Sequence, residues 1–268
     1  MMIKLIALVL GFMACPAWAL PPSNPVPGGI VTLKIAAASE ARPEVFYRGQ
    51  AVAMSRHRGD WYAIVGLNLN SKAGHHQVQA NGKGVSFQVK NKDYPEQHIT
   101  LKTRKHIDLS AADLQRHRQE KKQAAAVFRR FDLTQSPDLA FLKPVAGPYS
   151  SPFGLRRFFN DSPRKPHSGL DIAAPKGTPI KAPAAGKVVL TGHFFFNGKV
   201  VYVDHGQGLI SMFCHLSDIS VSSGDTLQKG QILGKVGATG RVTGPHLHWS
   251  VSLNNARIDP MLLLPASP

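Results

Sequence analysis

The chain has 268 residues, with 32 Lys and Arg against 16 Asp and Glu, a formal net charge of +16. Its two cysteines exclude the small disulfide-stapled folds, so the chain must stand on a core of its own, and its length suggests about two domains. A chain this basic is drawn to polyanions, either lipid head groups and wall polymers or nucleic acid.

The N-terminus bears on that choice. Lys4 precedes an apolar run over residues 5–14, Pro16 breaks the run, and Ala17-Trp-Ala19 places small residues where a signal peptidase reads. Residues 1–19 are read as a secretory signal, too short to span a membrane, with cleavage after Ala19. The sequence before Cys15 is a poor lipoprotein match. Cleavage removes Cys15 and leaves Cys214 alone, with no intramolecular disulfide. The expected location is the periplasm or the exterior, which weighs against nucleic acid as a partner. The excess of cations suits peripheral contact with anionic envelope surfaces.

Short strands follow. Residues 30–35 alternate apolar and polar, and runs at 51–54, 61–67, 77–80, 85–89 and 98–102 are punctuated by Gly49, Gly59-Asp60, Gly74 and Asn81-Gly82. This predicts a small antiparallel sandwich over 20–106. Residues 107–140 read as a helix and linker. Ser110 is a good N-cap, Asp113 follows three residues on, and Leu109 stands where a hydrophobic staple would. The apolar face is thin: Leu114, Ala125 and Phe128. Residues 102–130 hold nine Lys or Arg and three Asp or Glu, a solvated helix with one face docked between domains, or an anion-binding surface. From 141 to 264 the apolar runs are short (186–190, 200–204, 209–213, 232–236, 248–253) and separated by turns such as Gly206-Gln-Gly208, which predicts an all-β domain. The fold class is therefore mainly β, two β-domains joined by one basic helix.

The chemistry lies in this last part. In His246-Leu-His248 on a strand, both imidazoles share one face. In His167-Ser-Gly-Leu-Asp171, Gly169 and the residues after 171 argue for a loop running into a strand. His215 ends an apolar strand, where a site residue would emerge. Imidazoles with a carboxylate suit Zn²⁺, and three ligands leave one coordination position for water. Cys214 adjoins His215, but strict alternation turns its thiol away from the site and makes it a small buried hydrophobe. Asp204 and His205 read as turn residues, with Asp204 able to orient a histidine, and His57, His75, His76 and His193 read as surface.

Residues 142–262 resemble the lysostaphin-type (LytM-type) zinc metallopeptidases. The resemblance rests on Ser151-Pro-Phe-Gly-Leu-Arg156, His167-x-Gly169-x-Asp171, Ala173-Ala-Pro-x-Gly-Thr-Pro179, Asp204-His-Gly206, His215-Leu216, Lys229-Gly-Gln231 and Gly240-x-x-x-Gly-Pro-His-Leu-His248, in that order. It implies antiparallel sheets around a groove, one zinc per chain on His167, Asp171 and His248, and catalytic His215 and His246. It further implies endopeptidase action on peptidoglycan cross-bridges. For a basic periplasmic enzyme without wall-binding repeats, the D-alanine–diaminopimelate bond fits better than a glycine bridge. Residues 28–130 resemble the N-terminal β-domain of some proteobacterial members, through Pro27-Gly-Gly29, Val65-Gly-Leu67, Tyr94-x-x-Gln97 and a helix with Arg116 and Glu120.

Two departures stand out. Phe213-Cys214 replaces a strand Tyr of many members, and Arg157-Phe-Phe-Asn-Asp161 lacks the Tyr that some carry as a transition-state donor. Asn160 reads as a turn residue that could also meet the metal. A non-catalytic LytM-type regulator of other wall hydrolases would require a missing ligand, and none is missing. Residues 221–234 share a hairpin pattern with biotinyl and lipoyl barrels but lack the modified-lysine tripeptide. The N-terminal domain is expected either to cover the groove or to anchor the enzyme on the envelope.

Overall fold

The computed structural model describes residues 20–37, 41–100 and 110–265; the signal-peptide reading and the Leu109 staple lie outside them. The N-terminal strands are β1 (Ile30–Ala37), β2 (Val45–Tyr47), β3 (Gln50–Ala51), β4 (Ala53–His57), β5 (Asp60–Gly66), β6 (Gly74–Ala80), β7 (Lys83–Val89) and β8 (Glu96–Ile99). They are followed by α1 (Ala111–Phe128). Next come β9 (Tyr149–Ser151), β10 (Arg156–Phe159), β11 (Ser162–Pro163), β12 (Leu170–Ala173), β13 (Pro179–Lys181), β14 (Gly186–Phe194), β15 (Gly198–Asp204) and β16 (Ile210–Leu216). The last are β17 (Asp218–Ile219), β18 (Thr226–Leu227), β19 (Ile232–Lys235), β20 (His246–Leu253) and β21 (Ala256–Ile258), with a 3-10 turn over Pro260–Leu263.

The architecture is mainly β, as expected. Sheets β1-β5-β4 and β3-β2-β6-β7 close as a sandwich over Val31, Val65, Leu67, Val78 and Val89. The hairpin at Asn81-Gly82 forms because both residues take positive φ, 47° and 77°. The C-terminal half is built on a sheet ordered β18-β14-β15-β16-β20-β12-β9. Its inner face carries Val201, Phe213, Leu247, Trp249 and Val251 into the largest apolar cluster. Ile30, Ala53 and Ile64 from the N-terminal sheet enter that same cluster, so the core is continuous across the two halves.

The helix starts where the sequence predicts: Ser110 Oγ accepts from Asp113 N at 3.1 Å. Its packing differs from the expectation. Leu114 is exposed, and Val127 and Phe128 are the buried apolar residues. They lie on Phe194, Val200, Tyr202 and Met212, which covers the outer face of the main sheet. Glu120 is buried because both its oxygens accept from Phe195 N at 2.9 Å and Oε1 accepts from Arg116 Nε at 2.8 Å. The anchor of the helix is a charged residue that an apolar-periodicity reading passes over. Among the described residues no helix is long and apolar enough to cross a membrane.

Two residues near the first β15 turn are also corrected. Asp204 orients no histidine: Oδ2 accepts from Arg130 Nε at 3.0 Å, and Oδ1 accepts from Gly206 N at 2.9 Å. His205 does lie in the turn, its N donating to Leu209 O at 2.8 Å, but its ring is fully buried, with its nitrogens 2.8 Å from Ala185 O and 2.8 Å from Ser211 Oγ. Burial lowers its pKa to about 4, from the ordinary 6.5. As pH falls below 6.5 the unfolded chain takes up this proton and the native ring does not, so stability is lost between about 6.5 and about 4. The expected loss is on the order of 3 kcal/mol. In a pH series of thermal melts, His205→Asn, which keeps a donor for Ala185 O, should show a shallower fall across that window than the parent; parallel curves would contradict this.

Candidate active site

The site lies on the outer face of the main sheet, at the meeting of β12, β20 and β16. Antiparallel pairing sets Asp171 opposite His248 as Cα partners, and Cys214 opposite His248 on the other side. His246 is two residues along β20 and pairs with Ala173. His167 precedes β12, held in place by His167 N donating to Leu155 O at 2.9 Å. All five expected site residues therefore come together: His167, Asp171, His215, His246 and His248 line one groove of about 820 Å³.

His215 reaches the groove through an irregularity. The β15–β16 register shifts between Lys199 and Val201, and His215 takes φ 66°, a left-handed conformation costly to a residue with a Cβ. At this bulge the alternation of faces fails. Cys214, paired with His248, is on the same face as the site rather than the opposite one, which corrects the expectation from strict alternation. The thiol is nonetheless fully buried, and Asn197 Nδ2 donates to its Sγ at 3.2 Å. Asn197 O also accepts from His215 N at 2.8 Å, so one residue holds both sides of the bulge.

Three donor atoms converge. Asp171 Oδ1 lies 2.8 Å from His248 Nδ1 and 3.0 Å from His167 Nε2, and the two nitrogens are 3.0 Å apart. The outer nitrogens fix the tautomers. His167 Nδ1 is 2.9 Å from Pro152 O, which can only accept. Ser250 Oγ donates to Ser168 O at 2.9 Å, so it accepts from His248 Nε2 at 2.9 Å. With both protons on the outer nitrogens, His167 Nε2 and His248 Nδ1 present lone pairs to each other. Two acceptors facing each other at this distance are satisfied by a cation between them. The spacing suits a small ion bound at about 2.0–2.2 Å by nitrogen and oxygen. Burial raises the Asp171 carboxyl; where His167 and His248 also carry protons on their inner nitrogens, in place of a cation, their hydrogen bonds and charge outweigh burial and hold it far below the usual range. Burial likewise lowers His248, against the pull of Asp171. Gly169 is required here, since a Cβ would stand 2.7 Å from His248 Nε2 and 2.6 Å from Ser250 Oγ.

The other two histidines keep an inner nitrogen free. His215 Nδ1 is 2.9 Å from Thr239 O and His246 Nδ1 is 2.9 Å from Gly244 O, so in each neutral ring the Nε2 lone pair is available to the groove. Their ring centroids are 4.9 Å apart. Burial lowers the pKa of His215 to about 4. His246 Nε2 lies 4.0 Å from Asp171 Oδ1.

The groove has two unlike walls. Beyond β9 stand Gln97, Ile99 and Arg157, and on the β15 side stand Phe196, Asn197, Arg241, Val242 and Thr243. The first wall is the three-stranded sheet β11-β10-β8, in which the N-terminal strand β8 pairs in parallel with β10. From the N-terminal half, among the described residues, only Gln97 and Ile99 line the groove; the sandwich itself sits elsewhere. No tyrosine is among these lining residues. Asn160, with Asp161, forms the positive-φ turn of the β10–β11 hairpin and lines no part of the groove. Sequence reasoning gave no site role to Ser250, Thr239, Asn197 or Gln97. Ser250 left a signal, being two residues from His248 on one strand face, and Gln97 stood in the Tyr94-x-x-Gln97 motif without a place in the groove.

Comparison with known proteins agrees with this geometry. Residues 165–260 match the model for peptidase family M23, and residues 23–92 match that for the M23 N-terminal domain. A crystal structure from Pseudomonas aeruginosa that carries the peptidase M23 name superposes with a TM-score of 0.76 at 45% identity, covering 90% of this chain and 95% of that one. The chain belongs to peptidase family M23. Two curated M23-type relatives are similar over the site-bearing part. The DD-carboxypeptidase/endopeptidase Mpg of Neisseria meningitidis is 37% identical over 119 residues, 44% of this chain and 27% of that protein. The peptidoglycan DD-endopeptidase ShyC of Vibrio cholerae is 42% identical over 96 residues, 36% of this chain and 22% of that protein. The chain thus spans about a quarter of the length of the curated relatives it matches.

One chemical expectation concerns Cys214. Burial pushes its thiol up to about 12, which suits an inert side chain. A thiol reagent at pH 8 should leave Cys214 unlabelled in the native protein and label it after denaturation. Rapid native labelling would place the thiol in contact with the groove.

Proposed function

We propose that this M23 protein is a zinc-dependent endopeptidase that hydrolyses peptide cross-links of peptidoglycan, at the D-alanine–diaminopimelate bond, outside the cytoplasm after cleavage following Ala19. The observation that carries the reading is the convergence of Asp171 Oδ1, His167 Nε2 and His248 Nδ1 within 3.0 Å of one another. The curated relatives named for peptidoglycan or DD-peptide cleavage support the substrate class.

In this reading His167, Asp171 and His248 hold one zinc. When bound, the ion supplies a Lewis acid for the scissile carbonyl and acidifies a water ligand to a pKa of about 7. The protein's own groups do the rest. Pro152 O and Ser250 Oγ fix the ligand tautomers. His215 and His246, each fixed by a backbone carbonyl at Nδ1, handle protons at Nε2. One takes the proton of the attacking water and the other donates to the oxyanion or the leaving amine. The walls orient the extended peptide across the histidines. In this division of the chain, 20–106 is the N-terminal β-domain, 107–140 the helix and linker, and 141–264 the peptidase domain.

Ala at His167, Asp171 or His248 should remove zinc and activity together. His215→Ala and His246→Ala should keep zinc and lose about 10²–10⁴-fold in turnover. Metal analysis beside rate measurements separates the two classes, and full zinc in Asp171→Ala contradicts the ligand set. The reaction itself is read by digesting purified sacculi with zinc-loaded protein and weighing the released muropeptides. Cross-linked dimers should yield monomers with intact glycan; glycan fragments or unchanged dimers would refute the proposal.

A further inference from the structure

We propose that Arg157 binds the carboxylate that neighbours the scissile amide, and so selects diaminopimelate cross-links over neutral bridges. The inference rests on the proposed peptidoglycan reading of the same groove.

Arg156 and Arg157 are adjacent on β10 and face opposite ways. Arg156 pairs with Glu96 at 2.6 Å on the outer side. Arg157 lines the groove, and among the described residues no carboxylate pairs with it. Its acceptors are both neutral: Nε donates to Gln97 Oε1 at 3.3 Å, and Nη2 donates to Ser151 Oγ at 3.0 Å. Those bonds use two of the five N–H donors and leave the others for a ligand. They also set the guanidinium in one place before anything binds, which lowers the ordering cost of recognition.

The place is informative. Ser151 Oγ lies 3.3 Å from His167 Nδ1, the outer nitrogen of that ring. The guanidinium is thus linked through Ser151 to the outer nitrogen of His167 and stands on the groove wall. It lines the same groove as His167, His246 and His248 without being one of the converging donors. Asp171 is the one carboxylate among the described groove-lining residues, and it is taken up by His167 and His248. Arg241, on the opposite wall 5.5 Å over the Phe196 ring, adds a second cation. Electrostatically the groove favours an anionic peptide.

Cross-link chemistry supplies the anion. In a D-alanine–diaminopimelate link, the carbon that bears the scissile nitrogen also bears a free carboxylate, whereas a glycine bridge has none at that position. A planar guanidinium recognises such a carboxylate with two parallel hydrogen bonds. Because Gln97 comes from β8, the N-terminal half takes part in substrate recognition.

The test compares two cross-linked stem-peptide dimers, one with that carboxylate free and one with it amidated, using the full zinc-loaded chain. The parent should prefer the free acid in kcat/KM by about ten- to a hundred-fold, the range expected for a charge-assisted hydrogen bond. Arg157→Ala should abolish the preference, chiefly through KM on the free acid. Arg157→Lys, with charge but no fork, should keep part of it. Gln97→Ala, which unties the guanidinium without removing it, should reduce it by a smaller factor. No preference in the parent, or a preference that survives Arg157→Ala, overturns the proposal and leaves the peptidase reading standing. Cleavage of neither dimer by the parent overturns the peptidase reading, and this inference with it.

Discussion

The site depends on one pairing register. Asp171 on β12 faces His248 on β20, and Cys214 on β16 faces the same His248 from the other side. A slip of one residue in β12 or β20 would turn the carboxylate or the imidazoles into the apolar core. The register is secured from beneath by Leu247, Trp249 and Val251, which alternate with the site residues and are fully buried. The same residues that make the core thus aim the donors. Precision at the convergent atoms is a by-product of packing on the far side of the sheet.

The sheet alone does not complete the groove. His215 needs a bulge, and the bulge needs Asn197 and Thr239, which accept from its backbone and ring. Thr239 is itself tied in: its hydroxyl donates to Leu216 O at 2.8 Å and accepts from Lys199 N at 2.9 Å. The left-handed backbone at His215 is strain of the kind that surrounding structure must over-determine, and it occurs at the chemical site. The outer face beyond the site is sealed by α1, held by buried Glu120 as much as by Val127 and Phe128.

Much of this was legible in the sequence because it is local. Strand periodicity placed most of the sheets, Ser110 placed the helix start, and the two-residue spacing of His246 and His248 placed them on one face. The full ligand set came from the resemblance of ordered motifs rather than from spacing. What escaped is non-local or irregular. The parallel pairing of β8 with β10 joins residues about sixty apart in sequence, with no local signal for it. The bulge at Cys214 broke an alternation argument that holds only for regular strands. Hydrophobicity alone puts Leu114 on the helix's buried face, but its buried apolar residues, Val127 and Phe128, lie at its C-terminal end and leave Leu114 exposed. Asp204 and Gly206 do turn, but the His205 ring between them goes inward, which a turn motif does not signal.

The contact between β5 and the β20–β21 hairpin carries a further consequence. Gly66 N donates to Asn254 Oδ1 at 2.6 Å and Gly66 O accepts from Asn254 Nδ2 at 3.1 Å, while a Cβ on Gly66 would meet Leu253 O at 2.7 Å. Here the two halves meet closely: the Asn254 side chain clasps the Gly66 backbone, and no room is left at Gly66 for a Cβ. A joint of this kind is intolerant of drift: neither half can change sequence at the seam without the other. The peptidase half is therefore not a freely portable cassette, and transplanting it onto a foreign partner would require carrying the Gly66 strand along or rebuilding the surface left bare.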